Sequence, residues 1–342
     1  METKSGGGGI VRDTRSMWPL VAGGKFHLDD RLRGHQTLKQ LEFIKFNAQE
    51  SAKEAVHFDV TNVSDFFFEQ SDQDYWDWTT DFPCIAPPFE SFWMEYRAPK
   101  FVRADGNIVP WRGNQAVGAI FYSRKLGDLA EDEEAVADMS ASANVTRQAA
   151  RNALKILEGQ LGAKWILRID GFVRSLGMTF MLPEQRTFLL DESGKPSGPP
   201  IISALYSQDS ELIDRSREMG LFLPMGFALS LLHCKNVTIV DAGDCRSRQV
   251  MRADKRAGLP DTKFKTLEIE PMRRVLATEG NISQNGLKRA LHICRGHFSE
   301  YSEEKPLFGK YAGRFWIPSH VRGTTESGQV IKDYRIKAPR SA

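Results

Sequence analysis

From Gly220 to Cys234 the chain runs fifteen residues without a charged side chain. A helix that is apolar all round has no face to give to solvent, so it must be enclosed on every side. This is the longest such stretch in the sequence, and Pro224 interrupts it. A bilayer-spanning helix needs about 20 apolar residues. The stretch therefore predicts a buried core helix, and the rest of the fold has to supply layers that cover it.

The remaining 327 residues of the 342 can do so. Apolar residues make up 41% and charged residues 26%, which excludes wholesale disorder, a collagen-like repeat and a disulfide-stapled miniprotein. The length predicts two domains or one large elaborated one. The four cysteines, Cys84, Cys234, Cys245 and Cys294, contain no CxxC pair, so free thiols in a reducing cytoplasm are expected. Met1 to Gly9 is polar, ends in four glycines and lacks the apolar core of a signal peptide. A flexible arm is expected as far as Gly24.

Patterning predicts a mixture of elements. Leu38, Leu41, Ile44 and Ala48 have helical spacing within His35–Val56. Phe58–Phe68 is apolar and β-branched, Phe92–Tyr96 and Ala116–Ser123 read as strands, and Glu131–Glu158 reads as one helix or two, broken near residues 140–144. Trp165–Val173, Met178–Leu182 and Thr187–Leu190 read as strands, Ser210–His233 as a long helix kinked at Pro224, and Val237–Val240 as a short buried strand. Arg246–Arg256 reads as a basic linker. Beyond it, Phe264–Ile269, Arg314–Val321 and Val330–Lys337 read as strands, and Leu287–Phe298 as a strand or a short helix. The expected fold is α+β: a mixed α/β body over residues 25–245 and a small, basic, mainly β unit over residues 246–342.

Net charge supports that division. The whole chain is +2, yet residues 246–342 hold 20 basic and 10 acidic side chains, a net of +10, and residues 1–245 hold 26 and 34, a net of −8. A basic part on an acidic body suits an anionic partner. It equally suits two parts that neutralise each other across an interface.

Candidate chemistry concentrates in the basic part. Leu291-His292-Ile293-Cys294-Arg295-Gly296-His297-Phe298 is followed by Arg314-Phe315-Trp316-Ile317-Pro318-Ser319-His320-Val321-Arg322-Gly323, and three of the seven histidines fall here. Strand alternation puts Ile293, Arg295 and His297 on one face and pairs His320 with Arg322 on another. If paired strands unite these groups, His297 and His320 form an acid–base pair and Arg295 and Arg322 clamp a phosphate. That set suits metal-independent RNA cleavage, in which the 2′-hydroxyl is the internal nucleophile. Lys305, Lys310, Arg314, Lys332 and Arg335 would hold the phosphate backbone, Trp316 would stack on unpaired bases, and Tyr334 would add a hydrogen bond. Against this, histidines beside glycines are often ordinary turn residues, and Phe315 and Trp316 also read as core.

No metal or other cofactor is expected. His233, Cys234, Cys245, His292, Cys294 and His297 do not have the spacing of a common zinc finger. Asp72, Asp74 and Asp77 lack the closing glutamate of an EF-hand loop and read as a surface loop anchored by Trp76 and Trp78. Gly6–Gly9 neither follows a strand nor ends in Gly-Lys-Ser/Thr, so it is no phosphate loop. A nucleophile elbow and a His-Glu-x-x-His helix are also missing from the sequence, which disfavours serine hydrolase and zincin chemistry.

The segments His292–Phe298, Pro306–Lys310, Trp316, His320–Gly323 and Lys332–Tyr334, with Leu231–Val237 upstream, carry a resemblance. Together they resemble the C-terminal signature of uncharacterised proteins encoded by bacteriophages, prophages and bacterial mobile elements, in which an Arg-Gly-His-aromatic motif precedes an aromatic-rich strand and a His-x-Arg-Gly turn. The resemblance covers about the last 60 residues and implies a setting, the cytoplasm of a bacterial host, but no mechanism. The expectation is therefore a nucleic-acid-interacting protein with RNA or another single-stranded nucleic acid as partner and no membrane. The alternative is a non-catalytic protein whose basic part packs on its own acidic body or on a protein partner.

Overall fold

Strand β3 (Ser91–Arg97) shows why the sheet must be covered on both sides. Phe92, Met94 and Tyr96 alternate with Trp93 and Glu95, and all five are buried. Both faces of a strand that reads this way have to be sheltered from water. A computed structural model of the chain describes residues 16–28, 38–70, 77–87, 89–97, 101–104, 107–110, 116–143, 145–175, 177–204, 221–242, 248–259, 264–269, 292–294, 297–307, 309–317 and 320–322.

The elements run α1 (Trp18–Ala22), β1 (His27–Leu28), α2 (Leu38–Glu54), β2 (Val56–Asp59), α3 (Thr61–Gln70) and β3 (Ser91–Arg97). A two-stranded pair, β4 (Phe101–Ala104) and β5 (Asn107–Pro110), precedes β6 (Ala116–Lys125). Helices α4 (Leu126–Glu131), α5 (Glu133–Ala143) and α6 (Arg147–Leu161) lead to β7 (Trp165–Ser175), β8 (Met178–Leu190) and β9 (Ile201–Ala204). Then come α7 (Leu223–Leu232), β10 (Val237–Ala242), α8 (Arg248–Arg256) and β11 (Phe264–Ile269). The last described elements are β12 (His292–Cys294), β13 (His297–Tyr301), β14 (Gly313–Ile317) and β15 (His320–Arg322).

The fold is α+β. Its main sheet has the order β1-β8-β7-β6-β3-β2-β11-β10, with β9 also on β8. The run β3-β6-β7-β8 is antiparallel, whereas β2 is parallel to both β3 and β11, and β1 to β8. One face packs Phe92, Met94, Tyr96, Phe121 and Ile169 under α3 and α7. The other packs Trp93, Ile120 and Phe172 under α1 and α2. A third, smaller cluster joins α4 and α6 through Leu126, Leu154 and Ala163. Gly171 sits at a register shift in β7, where a Cβ would come within 2.4 Å of the Phe222 ring. Its bare backbone is what lets the start of α7 approach the sheet.

Leu223–Leu231 of α7 is buried without interruption, as its composition requires. Pro224 lies in its first turn, where the missing N–H costs no hydrogen bond, so it starts the helix instead of kinking it. Residues 210–220 of the expected longer helix lie outside the described residues. Among the described residues no helix is long and apolar enough to cross a membrane.

Several expectations need correction. The N-terminal arm does not extend to Gly24: Met17, Trp18, Val21 and Ala22 are core residues. The apolar stretch Phe58–Phe68 holds the end of β2 followed by α3, because Asp59 stops the strand and accepts from the Thr61 backbone N–H at 3.0 Å. The linker expected at Arg246–Arg256 contains helix α8. Strand β10 runs to Ala242 at the sheet edge, with Ile239 44% exposed instead of buried. A boundary at 245/246 does not separate two cores, since β11 lies between β2 and β10 in the main sheet.

Glu95 is the fully buried charge of β3 and organises the α1 side. Its Oε2 accepts from Ser16 Oγ at 2.9 Å, Trp93 Nε1 at 2.9 Å, and the backbone N–H groups of Met17 and Trp18 at 3.1 and 3.2 Å. Burial raises its pKa, and neighbouring Asp59 adds to this, while Arg97 opposes it. Arg97 in turn pairs with Asp59 at 3.3 Å. Replacing Glu95 by Ala strands several buried donors and should cost about 3 kcal/mol or more in urea unfolding. Glu95→Gln keeps an acceptor and should cost less. The raised pKa means that the folded state holds this proton more tightly than the unfolded chain. The stability it contributes is full below the ordinary value of 4.5 and is lost as pH rises through the folded value. Unfolding measured across that range should show this fall in the wild type and not in Glu95→Gln.

Candidate functional site

The cluster singled out in the sequence falls on two short antiparallel ladders. In the first, β12 pairs with β15: His292 opposite Arg322, Ile293 opposite Val321 and Cys294 opposite His320. In the second, β13 pairs with β14: His297 opposite Ile317, Phe298 opposite Trp316 and Glu300 opposite Arg314. The ladders share one register, as if a single hairpin ran through both. His297 and His320 are therefore not cross-strand partners. Arg295, which would stand beside them, lies outside the described residues, as do Lys332, Tyr334 and Arg335.

The β13–β14 hairpin is fixed to the body by its apolar side. Phe298 and Trp316 pack edge to face at 4.7 Å, and Trp316 reaches Phe227 of α7 at 4.8 Å and Phe66 of α3 at 6.3 Å. Asn236 acts as a surrogate strand: its Nδ2 donates to the Trp316 carbonyl at 3.0 Å, and its Oδ1 accepts from the Trp316 N–H at 3.1 Å. The Lys235 N–H donates to the Arg314 carbonyl at 2.8 Å. Trp316 is 2% exposed, so its ring is core and offers no surface for a stacked base. Phe315 is buried as well.

Arg314 also turns inward. Its guanidinium pairs with Glu300 at 3.2 Å and lies near the buried Cys84 thiol. Burial pushes the Cys84 pKa up, and Arg314 pulls against it. Cys234, one turn beyond Ser230, is pushed up to about 12 by burial and lies 3.6 Å from the Ser230 carbonyl. Both thiols stay protonated near neutral pH and are poor ligands and nucleophiles. His233 Nε2 lies 2.6 Å from the Ala86 carbonyl, so that nitrogen carries the proton, and burial lowers the pKa of the ring. His233 and Cys234 are thus engaged in packing and backbone contacts. Among the described residues no three His, Cys, Asp or Glu side chains converge as a metal site would.

What faces solvent is the rest of the hairpin. His297, Glu300, Lys305 and Lys310 are exposed. Glu300, Tyr301, Ser302, Lys305, Pro306 and Leu307 line an open hollow of about 730 Å³ beside the turn. Of the acidic aromatic run, Asp77 caps a turn by accepting from the backbone N–H groups of Thr79 and Thr80 at 2.8 and 3.1 Å. Trp78 packs on Phe188 at 4.8 Å, as an anchored surface loop requires. Residues 71–76, with Trp76, are outside the described residues.

Sequence reasoning did not anticipate the Asn236–Trp316 hydrogen bonds, because nothing local links residues so far apart. It also passed over Glu95, although a lone charge inside a two-faced apolar strand was a readable sign of a buried polar network. No protein-family model matches this chain, and no curated protein matches it.

Trp316→Ala should cost about 3–5 kcal/mol in urea unfolding, as expected for removing a buried aromatic side chain. Asn236→Ala should cost about 2 kcal/mol by leaving two buried backbone groups unpaired, and it should speed hydrogen exchange at the Trp316 amide.

Proposed function

We propose that this protein binds RNA through the solvent-facing side of its C-terminal hairpin, with the basic C-terminal part of the chain holding the phosphate backbone. One observation carries the reading. The hairpin packs Phe298 and Trp316 on the body and leaves Lys305 and Lys310 exposed beside Glu300, Glu303 and Glu304, within a region of the chain whose net charge is +10. That net positive charge supplies the electrostatic footing that polyanion binding needs. The open hollow beside Tyr301 and Lys305 gives an unpaired nucleotide somewhere to lie.

Binding is supported further than cleavage. In the cleaving form of this reading, His297 and His320 exchange protons with the 2′-hydroxyl and the leaving oxygen, and Arg295 and Arg322 stabilise the phosphorane. Two imidazoles must then reach one phosphodiester. In the described ladders His297 stands opposite Ile317 and His320 opposite Cys294, so the pair would have to meet across the join between the two ladders. The setting suggested by the C-terminal signature is a bacteriophage, prophage or mobile element.

A second reading is favoured by the same packing. The hydrogen bonds from Lys235 and Asn236 to β14 are what a structural hairpin needs, and a protein that only folds its basic part onto its body requires nothing more. Salt dependence separates the two. An RNA binder should show a log–log slope of about −0.7 per phosphate contacted on a single strand, and Lys305→Gln with Lys310→Gln should flatten it. Absence of binding at low salt favours the structural reading. Labelled RNA incubated with the protein in EDTA should be cut by the wild type and spared by His297→Ala and His320→Ala if the pair is catalytic. Identical profiles remove catalysis by this pair.

A further inference from the structure

Helix α8 carries a second cationic surface, outside the hairpin. Arg248, Arg252, Lys255 and Arg256 are all exposed, and none of them forms an ion pair with the described residues. At 100° per residue the four fall within one arc of about 100°. Half-buried Met251 and Asp254 lie on other sides of the helix. The surface is held to the body: the Lys25 ammonium donates to the Ala257 carbonyl at 2.9 Å, and Leu259 packs so close to Gly23 that a Cβ there would meet it at 2.7 Å.

Folding alone does not ask for this arrangement. Lys255 and Arg256 in the last turn suit the helix dipole, but Arg248 stands in the first turn, which has no acidic residue. Arg248 with Arg252, and Arg252 with Arg256, are like-charge pairs at four-residue spacing, which work against the helix. A bound polyanion reverses both penalties. The stripe spans about 12 Å along the helix, the axial length of three to four nucleotides of a strand.

We propose that the exposed face of α8 is a docking surface for the phosphate backbone of single-stranded RNA. The choice of RNA rests on the function proposed above; the surface itself rests on the placement and charge of α8. With no aromatic residue in Arg248–Arg256 and no acceptor but Asp254 and Gln249, the face reads charge and not base sequence.

The test is fluorescence anisotropy of a short labelled single-stranded RNA with the full chain, over a range of salt. Four proteins are compared: wild type, the α8 variant Arg248→Gln/Arg252→Gln/Lys255→Gln/Arg256→Gln, the hairpin variant Lys305→Gln/Lys310→Gln, and Arg252→Gln alone. Circular dichroism and the urea midpoint check folding, and the single variant serves if the quadruple one is unstable. Expected are a loss of at least about tenfold in affinity at low salt and a slope smaller by about 2 to 3 for the quadruple variant, and smaller by about 0.7 for Arg252→Gln. If the α8 variant binds like the wild type while the hairpin variant weakens, the α8 surface is overturned and the hairpin reading stands. The converse result keeps α8 and removes the hairpin. No binding by the wild type at low salt overturns both. Tighter binding of duplex DNA or of anionic phospholipid vesicles through the same four residues overturns single-stranded RNA as the occupant.

Discussion

A strand buried on both faces dictates much of the architecture. Strand β3 brings large apolar groups to each side of the sheet, so each side needs its own helical layer, and the chain provides α1 and α2 on one side and α3 and α7 on the other. Burying Glu95 in the same strand is costly unless donors converge on it. The donors come from Ser16, Met17 and Trp18, so satisfying one carboxylate draws the segment before α1 onto the sheet. Indole Nε1 of Trp18 then donates to the Ala52 carbonyl of α2 at 2.6 Å, which ties α1 to its neighbour. A short helix of five residues would not persist alone; here it is held by a polar anchor and an apolar pocket together.

The opposite layer depends on α7, and the hairpin depends on the residues that leave this helix. Lys235 and Asn236 present backbone and amide groups that pair with β14 before β10 enters the sheet. The aromatic side of the hairpin completes the cover over Phe227. A hairpin anchored through one face must turn its other groups outward, which is how the basic C-terminal part comes to expose lysines while the mostly buried Arg314 pairs with Glu300 across the hairpin. Counting charges along the sequence treats these cations alike. The fold divides them into a mostly buried arginine that pairs across two strands, and lysines that meet solvent.

Much of this was legible in the residues. The all-apolar stretch, the heptad-like spacing of Leu38, Leu41 and Ala48, and the alternation in β3, β6 and β7 each reflect a local period imposed by burial, and the corresponding elements form. What failed to show depends on partners far away in sequence. Strand β11 looks like part of a separate unit until it is seen between β2 and β10, and nothing in Phe264–Ile269 specifies a neighbour more than 200 residues upstream. Helix α8 was hidden by its composition: few apolar residues leave little periodicity to detect. At the candidate site the sequence left Leu287–Phe298 between strand and helix and read Arg314–Val321 as one strand, and it specified neither the pairing direction nor the register. The register decides whether His297 and His320 can act together, because a shift of one residue exchanges the faces of a strand.

The two cationic surfaces lie in different layers of the molecule. Residues just beyond α8 touch Gly23 and Lys25, next to α1, whereas the hairpin packs with Phe66 and Phe227 on the α3 and α7 side. Between them runs the edge of the main sheet, strand β10, where Ile239 is exposed and Asp241 pairs with Lys265 at 3.5 Å. A polyanion that met both surfaces would have to pass around this edge, and only a flexible single strand follows so sharp a path at low cost, since duplex DNA resists bending over such short lengths. The basic part of the chain is not one unit set apart from the acidic body: the residues after α8 are tied to Lys25, and β11 lies in the main sheet.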